Sequence, residues 1–217
     1  MAGVKILYPL RRRNEVTHDE LATCWRDVHM PGVVAHVRPE HYTVTLFQDV
    51  GERAAPEERY DGMAQLWFDD PERGRQMQGR STPAVVANDG FADLVVSPAV
   101  RLDCTEHVIV DGPREQAGFK MVALVSARPD VELERLRHHW LDVHAPNVAS
   151  HMVASGGLRY VVNIADQGKS DRPYAGVAEL WYRDKAAWKA HAVSDDGFNA
   201  LTRVVMLFAA EELIGIP

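Results

Sequence analysis

The sequence has few of the residues that special-purpose sites and membrane segments need. It contains two cysteines in 217 residues, Cys24 and Cys104, too few for a disulfide framework or a paired-cysteine metal site. No apolar run approaches the roughly 20 residues of a transmembrane helix. The N-terminus begins with a strand-like segment instead of a signal region. We therefore expect a cytoplasmic protein without a membrane partner.

An excess of positive charge is also missing. Lysine and arginine number 24 against 31 acidic residues, a formal net charge of −7, whereas nucleic-acid binding needs a basic face. The only basic cluster, Arg11 to Arg13, follows Pro9 and is typical of a solvated turn. The sequence also lacks a nucleophile elbow, a phosphate loop, a zinc helix motif and a dinucleotide glycine fingerprint. We expect no nucleic-acid partner and no metal.

What the sequence does contain is an internal duplication. The segment WRDVHMP at 25–31 returns as WLDVHAP at 140–146, displaced by 115 residues. GMAQLWFDD at 62–70 returns as GVAELWYRD at 176–184, and Asp-Gly-Phe at 89–91 returns at 196–198. A fixed internal period indicates duplicated structural units. We expect one repeat at 1–110, a linker at 111–117 and a second repeat at 118–217.

Each repeat has the pattern strand, helix, strand, strand, helix, strand. In the first repeat the strands are predicted at 4–8, 41–47, 62–68 and 99–110, an exposed loop at 49–61, and a broken helical region from Pro71 to about residue 96. Thr17 and Glu20 have the form of a capping box. The apolar stripe Leu21, Cys24, Trp25 and Val28, matched by Leu133, Leu136, Trp140 and Val143, is predicted to pack on a sheet, with a kink at the following proline.

This order predicts an α+β fold built from ferredoxin-like units. A single four-stranded sheet would leave an apolar face and two edges uncovered. Two such repeats can cover both by closing into one barrel within the chain. Because duplication supplies the pairing surface, we expect a monomer or a weak homodimer.

The Trp-x-x-x-His-x-Pro segment and the Gly-x-Ala-Glu-Leu-Trp-Tyr strand resemble the EthD family of the dimeric α+β barrel superfamily, over about 3–110 and again over 118–215. The resemblance implies an intrachain dimeric α+β barrel and cofactor-free chemistry on small hydrophobic, often aromatic or polyketide-like molecules. The superfamily includes polyketide cyclases, lactone isomerases, hydroxynitrile lyases, cofactor-independent monooxygenases and haem enzymes. The fold therefore leaves the reaction open, and no histidine stands out as a haem ligand.

Four histidines repeat as pairs, His29 with His36 and His144 with His151. Seven residues of helix separate two imidazoles by roughly 10 Å, which is too far to share a metal and suitable for flanking a small molecule. Histidine suits proton transfer near neutral pH. The alternative is structural, since a histidine before a proline can bond free helix carbonyls.

The strand at 176–182 supplies a second group of candidates. Glu179 stands where the first repeat has Gln65, and it shares a strand face with Val177 and Trp181. An apolar layer there would raise the pKa of Glu179 and suit it to acid–base work; the alternative is a structural hydrogen-bond acceptor. Tyr160, which matches Tyr42, is a candidate donor to an oxyanion or a core residue.

The leading hypothesis is an enzyme without cofactor that performs cyclisation, dehydration, isomerisation or lyase cleavage on a small hydrophobic substrate. Its alternatives are a cofactor-free monooxygenase and a non-catalytic small-molecule binding protein. The second repeat is expected to hold the working site, because it alone has a carboxylate on the third strand. The expected catalytic residues are His144, Glu179, Tyr160 and His29, and the expected substrate-binding residues are Trp181, Trp140, His151, Trp67, Tyr42 and His36.

Overall fold

The computed structural model describes residues 3–50, 55–76, 83–166 and 173–217. The strands are β1 (Val4–Leu10), β2 (His41–Val50), β3 (Gly62–Phe68), β4 (Leu102–Val110), β5 (Phe119–Ala127), β6 (Gly157–Ala165), β7 (Gly176–Tyr182) and β8 (Thr202–Ile216). The α-helices are α1 (His18–Cys24), α2 (Met30–Gly32), α3 (Pro71–Gln76), α4 (Ala84–Ala87), α5 (Phe91–Leu94), α6 (Leu133–His139), α7 (Ala145–Ala154), α8 (Lys185–Ala190) and α9 (Phe198–Leu201). Residues 51–54 of the predicted loop and 77–82 of the predicted helical region lie outside the described residues.

The chain divides into two compact units. The first unit comprises Met1–Gln48, Ala55–Cys104 and Ala210–Pro217, and the second comprises Asp49–Ala54 and Thr105–Ala209. This division differs from the sequence repeats at three strands, because the end of β2 is assigned to the second unit. The last eight residues belong to the first unit, and β4 passes from the first unit into the second.

Antiparallel ladders organise both units in the same way. In the first unit β1 pairs with β3 and with β4, and β3 pairs with β2. In the second unit β5 pairs with β7 and with β8, and β7 pairs with β6. The hydrogen-bonded order of all strands is β1-β3-β2-β8-β5-β7-β6-β4, which closes into a barrel. The expected eight-stranded barrel is therefore confirmed.

The first helix of each unit begins differently. Thr17 caps α1 with a complete capping box, in which its hydroxyl accepts from the Glu20 N–H and the Glu20 carboxylate accepts from the Thr17 N–H. This confirms the predicted capping box. Glu132 stands at the same position before α6 and makes no side-chain cap.

Both proline-containing helices pass through a π-helical turn. Trp25–His29 and Trp140–His144 are π-helical, and the next N–H, from Met30 or Ala145, donates five residues back to the tryptophan carbonyl. Pro31 and Pro146 follow one residue later. Because proline removes an N–H and crowds the preceding turn, a wider turn accommodates it. The predicted kink takes this form, and the backbone stays helical through it.

Because of the π-turn, the predicted apolar stripe is wrong at its last position in each repeat, Val28 and Val143. The extra residue of the turn rotates the following side chains, so Val28 and Val143 are 47% and 44% exposed. Met30 and Ala145 take the buried positions instead. The prediction placed both valines in the core because it assumed an uninterrupted 3.6-residue period.

Each core is centred on the tryptophan that starts the π-turn. Trp25 and Trp140 are 0% and 1% exposed. A Cβ atom on Gly62 would lie 2.7 Å from the Trp25 ring, and one on Gly176 would lie 3.0 Å from the Trp140 ring. The repeated glycine therefore leaves space for the indole to lie against the third strand of its repeat.

The capping difference gives a matched test. We expect Thr17→Ala to lower the free energy of unfolding by about 0.5–2 kcal/mol, because it removes an N-cap acceptor. Glu132→Ala, at the uncapped position before α6, should change it much less. Urea unfolding followed by circular dichroism measures both, and equal losses in the two variants would contradict the interpretation.

Candidate functional site

The second unit contains a partly open, mostly apolar cavity of about 510 Å³ between its sheet and its helices. We call it the second cavity. Its polar lining consists of His144, Tyr160, Lys189, His191 and Asn199. Its apolar lining is Met121, Ala123, Val125, Trp140, Val148, Ala178, Leu180, Trp188, Val193, Phe198, Val204 and Met206. A mostly apolar cavity with a few polar groups is typical of a small-molecule site.

His144 is fixed in this cavity by two contacts. Its Nδ1 lies 2.9 Å from Oδ2 of Asp196, and the two side chains are 18% and 11% exposed. Its ring stacks on Phe198 with centroids 3.7 Å apart and planes 5° apart. The last residue of the π-turn is thus tied to the start of α9.

The Asp-Gly-Phe turn builds the other side of this contact. Gly197 has φ of 84°, the left-handed region that favours glycine, and the turn lets the Phe198 N–H donate to Oδ1 of Asp196 at 3.0 Å. Asn147 Nδ2 donates to Oδ2 at 2.8 Å. Burial raises the pKa of Asp196, but hydrogen bonds from Asn147, the Phe198 N–H and His144 outweigh it and lower the pKa to about 2.

An ionised Asp196 fixes the tautomer of His144. A carboxylate only accepts hydrogen bonds, so Nδ1 carries the proton and Nε2 keeps a lone pair. Burial lowers the pKa of His144, while the hydrogen bond and the charge of Asp196 raise it and partly offset that effect. His144 is therefore neutral near pH 7, in the form that a general base needs.

The first unit repeats the arrangement around a cavity of about 410 Å³, which we call the first cavity. His29 Nδ1 lies 2.7 Å from Asp89 Oδ2, and its ring stacks on Phe91 at 4.1 Å. The Phe91 N–H donates to Asp89 Oδ1 at 2.9 Å. Burial is the main cause of a lowered pKa of His29.

The surroundings of the two aspartates differ. Gly32 occupies the position of Asn147 in the duplicated sequence, so the first unit lacks the amide that supports Asp196. Cys24 occupies the position of His139, whose Nε2 is 3.9 Å from Asp196. The second unit therefore has the more strongly supported carboxylate.

Several predicted site residues lie in these cavities. Tyr160 and Trp140 line the second cavity together with His144, and Tyr42 lines the first cavity together with His29. Trp25 Nε1 donates to the Tyr42 hydroxyl at 3.3 Å. Burial raises the pKa of Tyr42 and of Tyr160, so both are phenols that can donate a hydrogen bond.

Glu179 does not share the cavity with His144. Ala178 and Leu180 line the second cavity, so the alternation of β7 points Glu179 and Trp181 to the opposite face. Glu179 is fully buried there, accepts from Lys120 Nζ at 2.7 Å and accepts from Asn163 Nδ2 at 3.0 Å. Lys120 also lies over the Trp181 ring at 4.3 Å.

The first unit has a related arrangement around Trp67. Lys5 lies over the Trp67 ring at 4.5 Å, and Gln65 Nε2 donates to Thr45 Oγ1 at 3.2 Å. Ala64 and Leu66 line the first cavity, which places Gln65 and Trp67 on the other face of β3. Trp67, like Trp181, is therefore absent from the lining of its unit's cavity.

The second histidine of each pair also lies outside the cavity linings. His151 Nδ1 is 2.8 Å from the Asn147 carbonyl, one helical turn before it, and His36 is exposed. Among the described residues, no group of three or more histidine, cysteine, aspartate or glutamate side chains is placed to hold a metal ion. None of the helices in the same ranges has the length and apolarity needed to cross a bilayer.

Sequence reasoning missed the aspartates. The Asp-Gly-Phe repeat is visible at 89–91 and 196–198, but it lies 52 residues or more from its histidine. The sequence did contain a signal, because the Asp-Gly-Phe triplet and the histidine both recur in the two halves. His191 was also missed, and its Nδ1 lies 2.6 Å from the Tyr182 hydroxyl at the second cavity.

Comparisons with known proteins agree with the duplication. The EthD domain matches residues 13–94 and 128–209, whereas comparison with curated proteins gives no match. An anthrone oxidase-like protein has a similar structure, with TM-score 0.66, 9% identity and coverage of 99% of this chain and 94% of that one. A candidate monooxygenase from Fusobacterium nucleatum gives TM-score 0.60, 8% identity and coverage of 97% and 94%.

A chlorite dismutase variant from Candidatus Nitrospira defluvii gives TM-score 0.53, 7% identity and coverage of 96% and 92%. At such low identities these likenesses show the fold alone.

The role of Asp196 can be measured directly. We expect Asp196→Asn to lower the pKa of His144 further, because the substitution removes the charge and the strong hydrogen bond that raise it. NMR titration of the histidine ring resonances measures this change. His29 keeps Asp89 and is the internal control. An unchanged or higher pKa of His144 would contradict the assignment.

The buried ion pair gives a separate prediction. We expect Glu179→Gln to lower the free energy of unfolding by about 3–5 kcal/mol, because it removes the charge that contacts a buried ammonium group. The same substitution at Glu134, which is 58% exposed and pairs with Arg137, should cost under about 1 kcal/mol. Denaturant unfolding compares the two variants, and similar losses would disprove the difference.

Proposed function

This chain belongs to the EthD family, and we propose that it is an enzyme that removes a proton from a small, mostly apolar substrate in the second cavity. The observation that carries the proposal is the His144–Asp196 pair at an apolar cavity. The residues match the requirements for a general base near neutral pH: a fixed tautomer, a lone pair on Nε2 and a lowered pKa. We also propose that each half is a ferredoxin-like repeat.

The proposed roles follow from the contacts. His144 Nε2 accepts the substrate proton, and Asp196 stabilises the imidazolium that forms. Tyr160, a protonated phenol in the lining of the same cavity, donates to the substrate oxygen on which negative charge develops. Trp140 and Phe198 give the apolar surface against which a flat substrate stacks. Glu179 has no proton-transfer role in this proposal, because it lies on the other face of β7.

Proton removal is the common first step of several reactions. The resulting carbanion can cyclise, isomerise or expel a leaving group without a cofactor. We propose that the substrate is an aromatic or polyketide-like compound with an acidic C–H bond, because such compounds have large apolar faces and few charged groups. Both properties agree with the lining of the second cavity.

A second candidate is oxygenation without a cofactor, and the structural neighbours favour it. Two of them are named as an anthrone oxidase-like protein and a candidate monooxygenase. The same base would form a carbanion that adds O₂ and a proton to give a hydroperoxide. A hydroperoxide at a former CH₂ group then loses water to give a ketone. Both candidates use the same residues and differ only in the consumption of oxygen.

The experiment uses a panel of aromatic ketones and polyketide-like phenols in D₂O. NMR follows deuterium entry at the acidic carbon without oxygen, and an oxygen electrode follows uptake in air. We expect His144→Gln to reduce the rate about 10²–10⁴-fold, because it removes the general base. Asp196→Asn should also reduce it, because the tautomer is no longer fixed.

His138→Gln is the matched control, since this histidine is 71% exposed on α6. It should retain wild-type activity. The proposal fails if His144→Gln keeps the wild-type exchange rate on every compound that the wild-type protein turns over. Exchange without oxygen uptake favours the non-oxidative reaction, and stoichiometric uptake favours oxygenation.

A further inference from the structure

The first cavity contains a polar group that has no counterpart in the second cavity. Tyr8 on β1 lines the first cavity, and Arg101 Nη1 donates to its hydroxyl oxygen at 3.1 Å. The strand registers show that these two positions correspond to Ala123 and Met206 in the second unit. At these two positions the first unit has a phenol that accepts from a guanidinium group, whereas the second unit has two apolar side chains.

Arg101 is held firmly in place. Its Nε donates to Asp103 Oδ1 at 2.7 Å, and its Nη2 donates to the carbonyl of Gly74 on α3 at 2.9 Å. The Arg101 and Asp103 side chains are each 13% exposed. Because its bonds are directed to three different groups, the guanidinium cannot turn away from Tyr8 without breaking the other two.

This contact determines where the proton of Tyr8 can go. The phenol oxygen already accepts from Arg101, so its own O–H must point to a different partner. Within the part of the chain that the structure describes, no acceptor for this O–H is found. Burial raises the pKa of Tyr8 more than Arg101 lowers it, so the group is a protonated donor near neutral pH.

We propose that the first cavity is a second, separate site that binds an apolar molecule as its oxyanion, either a phenolate or an enolate. The Tyr8 O–H donates to the oxyanion, and the adjacent guanidinium polarises that donor. His29 accepts the proton that the ligand loses, and Asp89 stabilises the resulting imidazolium through the hydrogen bond at 2.7 Å. The bond that breaks is the O–H or C–H bond of the ligand, and its electron pair stays on the ligand.

The apolar lining of the first cavity supports this class of ligand. Ile6, Leu66, Phe68, Val86, Phe91 and Val95 are among the residues around it. A charged ligand without apolar surface would lose its hydration there with little return. A flat phenol or enol instead buries its ring against these side chains and presents one oxygen to Tyr8.

The probe is 4-nitrophenol, whose anion has a distinct visible absorbance, and its neutral comparison is 4-nitroanisole. Each compound is titrated into the whole protein, and the two titrations on the same sample give the ratio of their affinities. We expect the wild-type protein to prefer the nitrophenolate anion by more than about tenfold. Tyr8→Phe should reduce this preference by about tenfold to a hundredfold, because a hydrogen bond to a charged group is lost.

Tyr60→Phe is the matched control, because Tyr60 is a buried tyrosine of the same unit that lines neither cavity. It should leave the preference within about twofold of wild type. Since the readout is a ratio measured on one sample, partial unfolding of a variant does not mimic the effect. The proposal is overturned if the wild-type protein does not prefer the anion, if Tyr8→Phe keeps the preference, or if Tyr60→Phe abolishes it.

Discussion

The hydrogen bond between a histidine and an aspartate is the interaction on which the arrangement of each unit depends. It joins the end of a π-turn to the start of a short helix, across 60 residues in the first unit and 52 in the second. The phenylalanine two residues after the aspartate stacks on the imidazole and also contacts the central tryptophan. The same few side chains therefore connect the helix, the third-strand glycine and the cavity wall.

The alternation of the strands separates two chemical environments within each unit. One face of β7 lines the second cavity with Ala178 and Leu180, and the other face carries Glu179 with its buried partner Lys120. Removing either partner would leave an uncompensated buried charge, so the strand depends on the pair staying intact. The histidine–aspartate pair, by contrast, lies at a cavity that a ligand can enter. The buried ion pair and the cavity lining thus lie on opposite faces of one strand.

The two faces of a strand also illustrate how much could be predicted from the sequence. The duplication, the strands and the capping box at Thr17 are local or repeated patterns, so the sequence alone was sufficient to predict them. The pattern also showed that Glu179 and Trp181 share a face, but it could not show which face lines a cavity. Val28 was placed in the core because a regular helical period does not reveal a π-turn. Asp196 was overlooked because its partner is close only after folding.

The duplication has one further consequence, which concerns symmetry. When two separate copies of one chain form a barrel, every substitution is imposed on both active cavities at once. A fused chain has no such restriction, since each position is encoded twice and can change once. Tyr8, whose hydroxyl accepts from Arg101, lines one cavity, while Ala123 and Met206 hold the two related positions in the other half. Covalent fusion therefore permits a division of labour that a homodimer of this fold cannot encode.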